Sequence, residues 1–101
     1  MEQPDALIHQ PTRLKIMAAL KPLADGQPIE FVRLKEIVGA TDGNLGAHCT
    51  TLEEAGYVAI DKDFVAKKPR TRLSLTRKGR RALEDYVSFL RDVVDSHSNK
   101  N

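Results

Sequence analysis

Tryptophan is absent from this 101-residue chain, cysteine occurs once, and aromatic residues make up 5% of it. Each scarcity removes a class of function. With Cys49 alone there is no intrachain disulfide framework, and the chain suits a reducing compartment. Histidine is scarce too. Any catalytic or metal site would have to be built from His9, His48 and His97, and no HExxH, CxxC or GxxxxGK[ST] pattern accompanies them. His48 and Cys49 are neighbours on one helix and point about 100° apart, the wrong disposition for a Cys/His nucleophile pair. The acidic pairs Glu53-Glu54 and Glu84-Asp85 fit solvated helix positions better than acid/base catalysts. The expectation is no enzyme, no metal and no cofactor. No apolar run approaches the roughly 20 residues of a membrane span, and the opening MEQPDALIHQ lacks the charged start and apolar centre of a signal peptide. A cytoplasmic protein away from membranes is expected.

What the chain does have is basic charge gathered in one place. The net charge is only +2, from 16 basic and 14 acidic residues. Yet Lys62, Lys67, Lys68, Arg70, Arg72, Arg77, Lys78, Arg80 and Arg81 lie within a fifth of the chain, against the single acid Asp63. Such a run suits a nucleic-acid partner or a solvated face. Hydrophobic content of 41% and charged content of 30% are ordinary for a globular protein, and the length suits one domain over 1–101.

Apolar spacing then marks the elements. Leu14, Met17, Ala18 and Leu20 predict a first helix over Thr12 to Lys21, after the short segment that ends at Pro11. PLADGQPIEF is a turn carrying Asp25-Gly26, with Ile29 to Phe31 available for a brief strand. Leu34, Ile37 and Val38 give one face of a two-turn helix that Gly39 stops with positive φ. Thr41 caps the next helix, which runs to Ala55 with Gly56 at its left-handed C-terminal position. With Leu45 at zero on a helical wheel, Cys49 falls at about 40° and Leu52 at about −20°, so these three face the core. Gly43, Asn44, Ala47, Thr50 and Thr51 point away. A face of small and uncharged polar groups is what a helix in a DNA groove needs, because bulky side chains would hold its backbone off the base edges.

Beyond it, Val58, Ile60, Lys62 and Phe64 share one side of a period-2 strand, with Leu73 and Leu75 on its partner and AKKPR between them. Arg70 and Arg72 take the opposite side from Leu73 and Leu75. Thr76 caps a last helix from Arg77 to about Ser96, followed by the polar tail SHSNKN. Its apolar residues form two adjacent stripes, Leu83, Tyr86, Val87, Leu90 and Val94 beside Ala82, Phe89 and Val93. That width exceeds what one core requires, so Tyr86, Phe89, Leu90, Val93 and Val94 are candidates for a seam with a second copy, or the helix is tucked deep in its own domain.

The order helix, turn, helix, basic hairpin is that of a winged helix-turn-helix: mainly α with a small β-hairpin, the helix-turn-helix at about 32–55, the wing at about 57–75 and a long C-terminal dimerisation helix at about 77–96. With HQPTRLKIM, LKEIVGATDGNLGAH, LEEAGYV, KKPRTRLSLT and RKGRRAL, the chain resembles bacterial winged-helix transcription regulators of the broad MarR and ArsR type, in particular small stand-alone ones. The resemblance implies homodimeric binding to double-stranded DNA, usually to repress a promoter, with the TDGNLGAH helix in the major groove and the hairpin at the neighbouring minor groove. Asn44, Ala47, His48 and Thr51 would then lie near base edges, and Thr41 and Asp42 at the helix N-terminus near phosphate. Lys67, Lys68, Arg70 and Arg72 would meet the backbone or minor groove. His48 is open to a second role as a packed, hydrogen-bonded side chain. Cys49 stands where relatives generally place Leu, which implies a buried, unreactive thiol, with a redox switch as the alternative. The sequence leaves a small-molecule effector open. The competing function is a winged helix that docks a protein instead of DNA, and Asp42 and Glu54 on the recognition helix speak for it.

Overall fold

A computed structural model describes residues 5–24 and 26–98. The elements run α1 (Pro11–Leu20), β1 (Ile29–Glu30), α2 (Phe31–Val38), α3 (Asp42–Glu54), β2 (Val58–Val65), β3 (Lys68–Leu75) and α4 (Arg77–Ser98). Local chemistry accounts for their ends. Gln10 caps α1 by accepting the Arg13 N–H at 2.9 Å, with Pro11 in the first turn. Gly39 stops α2 at φ 76°, and the Thr41 hydroxyl caps α3 by accepting the Asn44 N–H at 3.2 Å. Asp25 and the tail beyond Ser98, both part of the sequence reading, lie outside the described residues.

The three strands form an antiparallel sheet in the order β1-β3-β2. Ile29 pairs with Leu73 and Glu30 with Arg72, while β2 and β3 stay in register from Val58–Leu75 out to Val65–Lys68. One sheet face closes the core with Ile16, Met17 and Leu20 of α1, Leu34 and Val38 of α2, Leu45, Cys49 and Leu52 of α3, and Leu83 and Tyr86 of α4. Burying a residue of this size stabilises by about 1.5–3 kcal/mol, so the apolar side chains hold the helices to the sheet.

Four sequence expectations shift. In α1 Ile16 is buried beside Met17 and Leu20 while Ala18 is exposed, and Ile37 is 48% exposed because Leu34 and Val38, four apart, define the buried line of α2. Tyr86, expected at a seam, is 4% exposed and belongs to the protomer's own core, its hydroxyl 2.8 Å from His9 Nδ1. The hairpin loop is also shorter than AKKPR. Only Ala66 and Lys67 connect the strands, at φ 52° and 67°, a two-residue turn with both residues left-handed, while Lys68 to Arg70 continue the strand.

The segment before α1 joins the fold through side chains. Ile8 is fully buried, and the Tyr57 hydroxyl donates to Asp5 Oδ2 at 2.6 Å. Burial, with Asp5 adding to it, pushes the Tyr57 phenol up to about 12.

Candidate nucleic-acid interface

Helix α3 and the hairpin that follows it make one continuous surface. Leu45, Cys49 and Leu52 are buried, which turns Gly43, Asn44, Ala47 and Thr50 outward as exposed positions, with Thr51 and His48 half-buried beside them. Neither helical glycine serves the protomer's packing: a Cβ built on Gly43 or Gly46 meets nothing within 4 Å. The hydroxyls of Thr50 and Thr51 donate back to the carbonyls of Gly46 and Ala47 at 3.0 and 3.2 Å. Their oxygens therefore remain acceptors toward a ligand, and their methyls remain available to a thymine methyl. Thr41 satisfies one N–H at the start of α3, and the others keep the positive end of the helix open to an anion. Asp42 is less of an obstacle than its charge suggests, since Lys35 of α2 sits 2.8 Å from its carboxylate.

Cys49 is 2% exposed, and burial pushes its thiol up to about 11. At neutral pH the thiolate fraction is then on the order of one in ten thousand. That is the chemistry of a packing residue.

The hairpin sorts its charges by face. On the side away from α3, Arg70 donates to both carboxylate oxygens of Asp63 at 3.0 and 2.7 Å, and Arg72 donates to Asp61 at 2.6 Å. These are directly opposed cross-strand pairs, and the Arg70 hydrogen bond holds the Asp63 carboxyl below its usual range. The two arginines expected on DNA are thus already committed to carboxylates. Lys67 and Lys68 are exposed at the turn.

Further along the basic run, Arg80 donates to the carbonyls of Lys21 and Leu23 at 2.8 and 2.7 Å, tying the end of α1 to α4. Lys78 lies 5.8 Å from the centre of the Tyr57 ring. Neither role has a sequence signal, because the partners are remote. Lys62 and Phe64 also belong to this surface, on the α3 side of the sheet. Strict alternation from Val58 put them there, and Phe64 at the end of a polar strand was the available clue.

At α4, Leu83 is buried, Phe89 half-buried, and Leu90, Val93 and Val94 are 37%, 41% and 62% exposed. Among the described residues there is no group of three His, Cys, Asp or Glu side chains able to hold a metal, and no helix long and apolar enough to cross a membrane.

Residues 12–94 match the family described as winged helix DNA-binding domain. An uncharacterized protein of Methanocaldococcus jannaschii is 37% identical over 81 residues, covering 80% of this chain and 85% of that protein. The solved structure of a transcriptional regulator homologue from Pyrococcus horikoshii superposes with a TM-score of 0.79 at 31% identity, covering 89% of this chain and 86% of that one. A PadR family transcriptional regulator from Eggerthella lenta gives 0.66 at 22% identity over 95% and 92% of the two chains, a likeness of fold. The two more similar proteins are archaeal, so the match reaches the winged helix and not the narrower MarR or ArsR branch, nor a bacterial source.

Proposed function

Since the chain belongs to the winged helix DNA-binding domain family, we propose that it is a sequence-specific transcriptional regulator that binds double-stranded DNA as a homodimer and represses the promoter it covers. The observation that carries this reading is the outward face of α3, small and nearly uncharged, with two glycines that no contact in the protomer requires. In the proposed complex α3 enters the major groove, with Asn44, Ala47, His48 and Thr51 at base edges and Thr41 and Asp42 in the first turn near a phosphate. Lys67 and Lys68 meet the backbone. Arg70 and Arg72 brace the hairpin through Asp63 and Asp61 and shift onto DNA only if those carboxylates let go. The second subunit packs on exposed Leu90, Val93 and Val94 and half-buried Phe89, all on the half of α4 beyond the core residues Leu83 and Tyr86. Two-fold symmetry then calls for an inverted repeat.

Nuclease protection of the DNA upstream of the protein's own gene tests the proposal. Two protected half-sites about one helical turn apart are expected. Protection of one half-site would remove the dimer, and no sequence preference at any salt would remove the regulator and favour a protein-docking winged helix.

A further inference from the structure

The hairpin continues well past the core. On the face turned toward α3, β2 sets Val58, Ile60, Lys62 and Phe64 opposite Leu75, Leu73, Thr71 and Pro69 of β3. The first two pairs join the core. Lys62 and Thr71 line a cleft of about 170 Å³ with Gly46, Cys49 and Thr50 of α3, which fixes which way this face looks. Phe64 and Pro69 are the next pair outward, and Phe64 is 74% exposed. A ring left in water at that position does nothing for the protomer's stability.

Its surroundings narrow the choice of occupant. Lys62 lies on the same face, and Lys67 is at the adjoining turn. The two acids of β2, Asp61 and Asp63, alternate to the other face and are bound there by Arg72 and Arg70. The Phe64 side of the hairpin therefore presents apolar surface and positive charge without a carboxylate. It looks the same way as the cleft that Gly46 and Thr50 of α3 share with it. A duplex offers the matching chemistry, apolar deoxyribose faces between rows of phosphates.

We infer that Phe64 is the hairpin's apolar contact with the duplex, its ring laid against minor-groove deoxyriboses while Lys62 and Lys67 meet the flanking phosphates. This rests on the DNA-binding reading above. It adds Phe64 and gives Lys62, one member of the basic run, a specific place beside it.

The test compares wild type with Phe64→Ala, Phe64→Leu and Lys62→Ala by fluorescence anisotropy, on a duplex from the protein's own upstream DNA and on a random-sequence duplex, over a range of salt. Phe64→Ala is expected to melt at the wild-type temperature and to bind both duplexes about tenfold more weakly, the order expected for taking a phenylalanine ring out of water. Its salt slope should equal the wild type's, because an apolar contact releases no counterions, whereas Lys62→Ala should flatten the slope by roughly 0.9 for each phosphate the lysine had neutralised. Phe64→Leu should recover part of the affinity. Wild-type affinity in Phe64→Ala overturns the inference, as does a slope change like that of the lysine variant. So does a change in sedimentation, which would give the ring to a seam between copies, or loss of binding to phosphatidylserine vesicles with DNA binding intact. If the wild type binds neither duplex, the DNA-binding reading itself fails, a result distinct from failure at Phe64 alone.

Discussion

Gly43 and Gly46 sit at helical positions where open space surrounds the missing Cβ. Each lowers the stability of α3 by about 1 kcal/mol relative to alanine, with nothing gained inside the protomer. Replacing both with alanine should therefore raise unfolding stability by about 1–2 kcal/mol in a denaturant titration and weaken duplex binding in the same protein. A stabilised double variant with undiminished binding would detach these glycines from DNA. At this scale the sequence was legible at the helix caps and along α3, while the same spacing argument misplaced Ala18 in α1 and Ile37 in α2. Thr41, Gly39 and the Leu45, Cys49, Leu52 face followed from capping and helical spacing, each decided within a few residues. Ile8, Arg80 and Tyr86 were not legible as core or clamp residues, because their partners lie far along the chain: His9 and Tyr86 are brought together only by the finished fold.

The hairpin is the element in which pattern and structure differ most. AKKPR reads as a five-residue basic loop restrained by Pro69, because it lacks the Asn-Gly or Asp-Gly that normally announces a two-residue turn. Instead Ala66 and Lys67 take left-handed conformations with side chains present, at about 1–2 kcal/mol each, and the unbroken pairing of β2 with β3 on either side holds them there. The tight turn puts Lys67 and Lys68 at the tip. Changing both to alanine should weaken specific and random DNA binding alike and flatten the plot of log affinity against log salt by roughly 0.9 for each phosphate contact removed, twice that in a symmetric dimer. An unchanged slope in a normally folded variant would take the tip off the DNA. Binary alternation placed the faces of β2 correctly. The pairing of Arg70 and Arg72 with Asp63 and Asp61 depends on register, and a loop read as five residues instead of two conceals that register.

For the molecule as a whole, the long dimension of 62 Å against 25 and 21 Å comes with a 22-residue α4. Leu90→Asp combined with Val94→Asp changes side chains already exposed in the protomer, so the fold should persist while sedimentation shifts from dimer to monomer. A wild type that sediments as a monomer at micromolar concentration would end the dimer proposal. The joint at the other end of α4 bears on the same assembly. The Tyr57 carbonyl accepts the Thr76 N–H at 3.1 Å, the Thr76 hydroxyl donates to the Gly56 carbonyl at 2.7 Å with the Tyr57 carbonyl 3.0 Å away, and the same hydroxyl accepts the Gly79 N–H at 2.9 Å. A Cβ on Gly79 would collide with the Tyr57 carbonyl group. The base of the hairpin and the start of α4 are therefore one stiff piece, with no hinge between the reading head and the rod that would carry the subunit seam. Such a dimer is a calliper with a fixed gap. One base pair inserted at the centre of an operator turns the far half-site by roughly 35° about the duplex axis. In the proposed dimer a fixed calliper could not follow that turn, so the DNA would untwist to meet it or one arm would let go, and the stiff joint at Thr76 and Gly79 would make the protein strict about operator spacing.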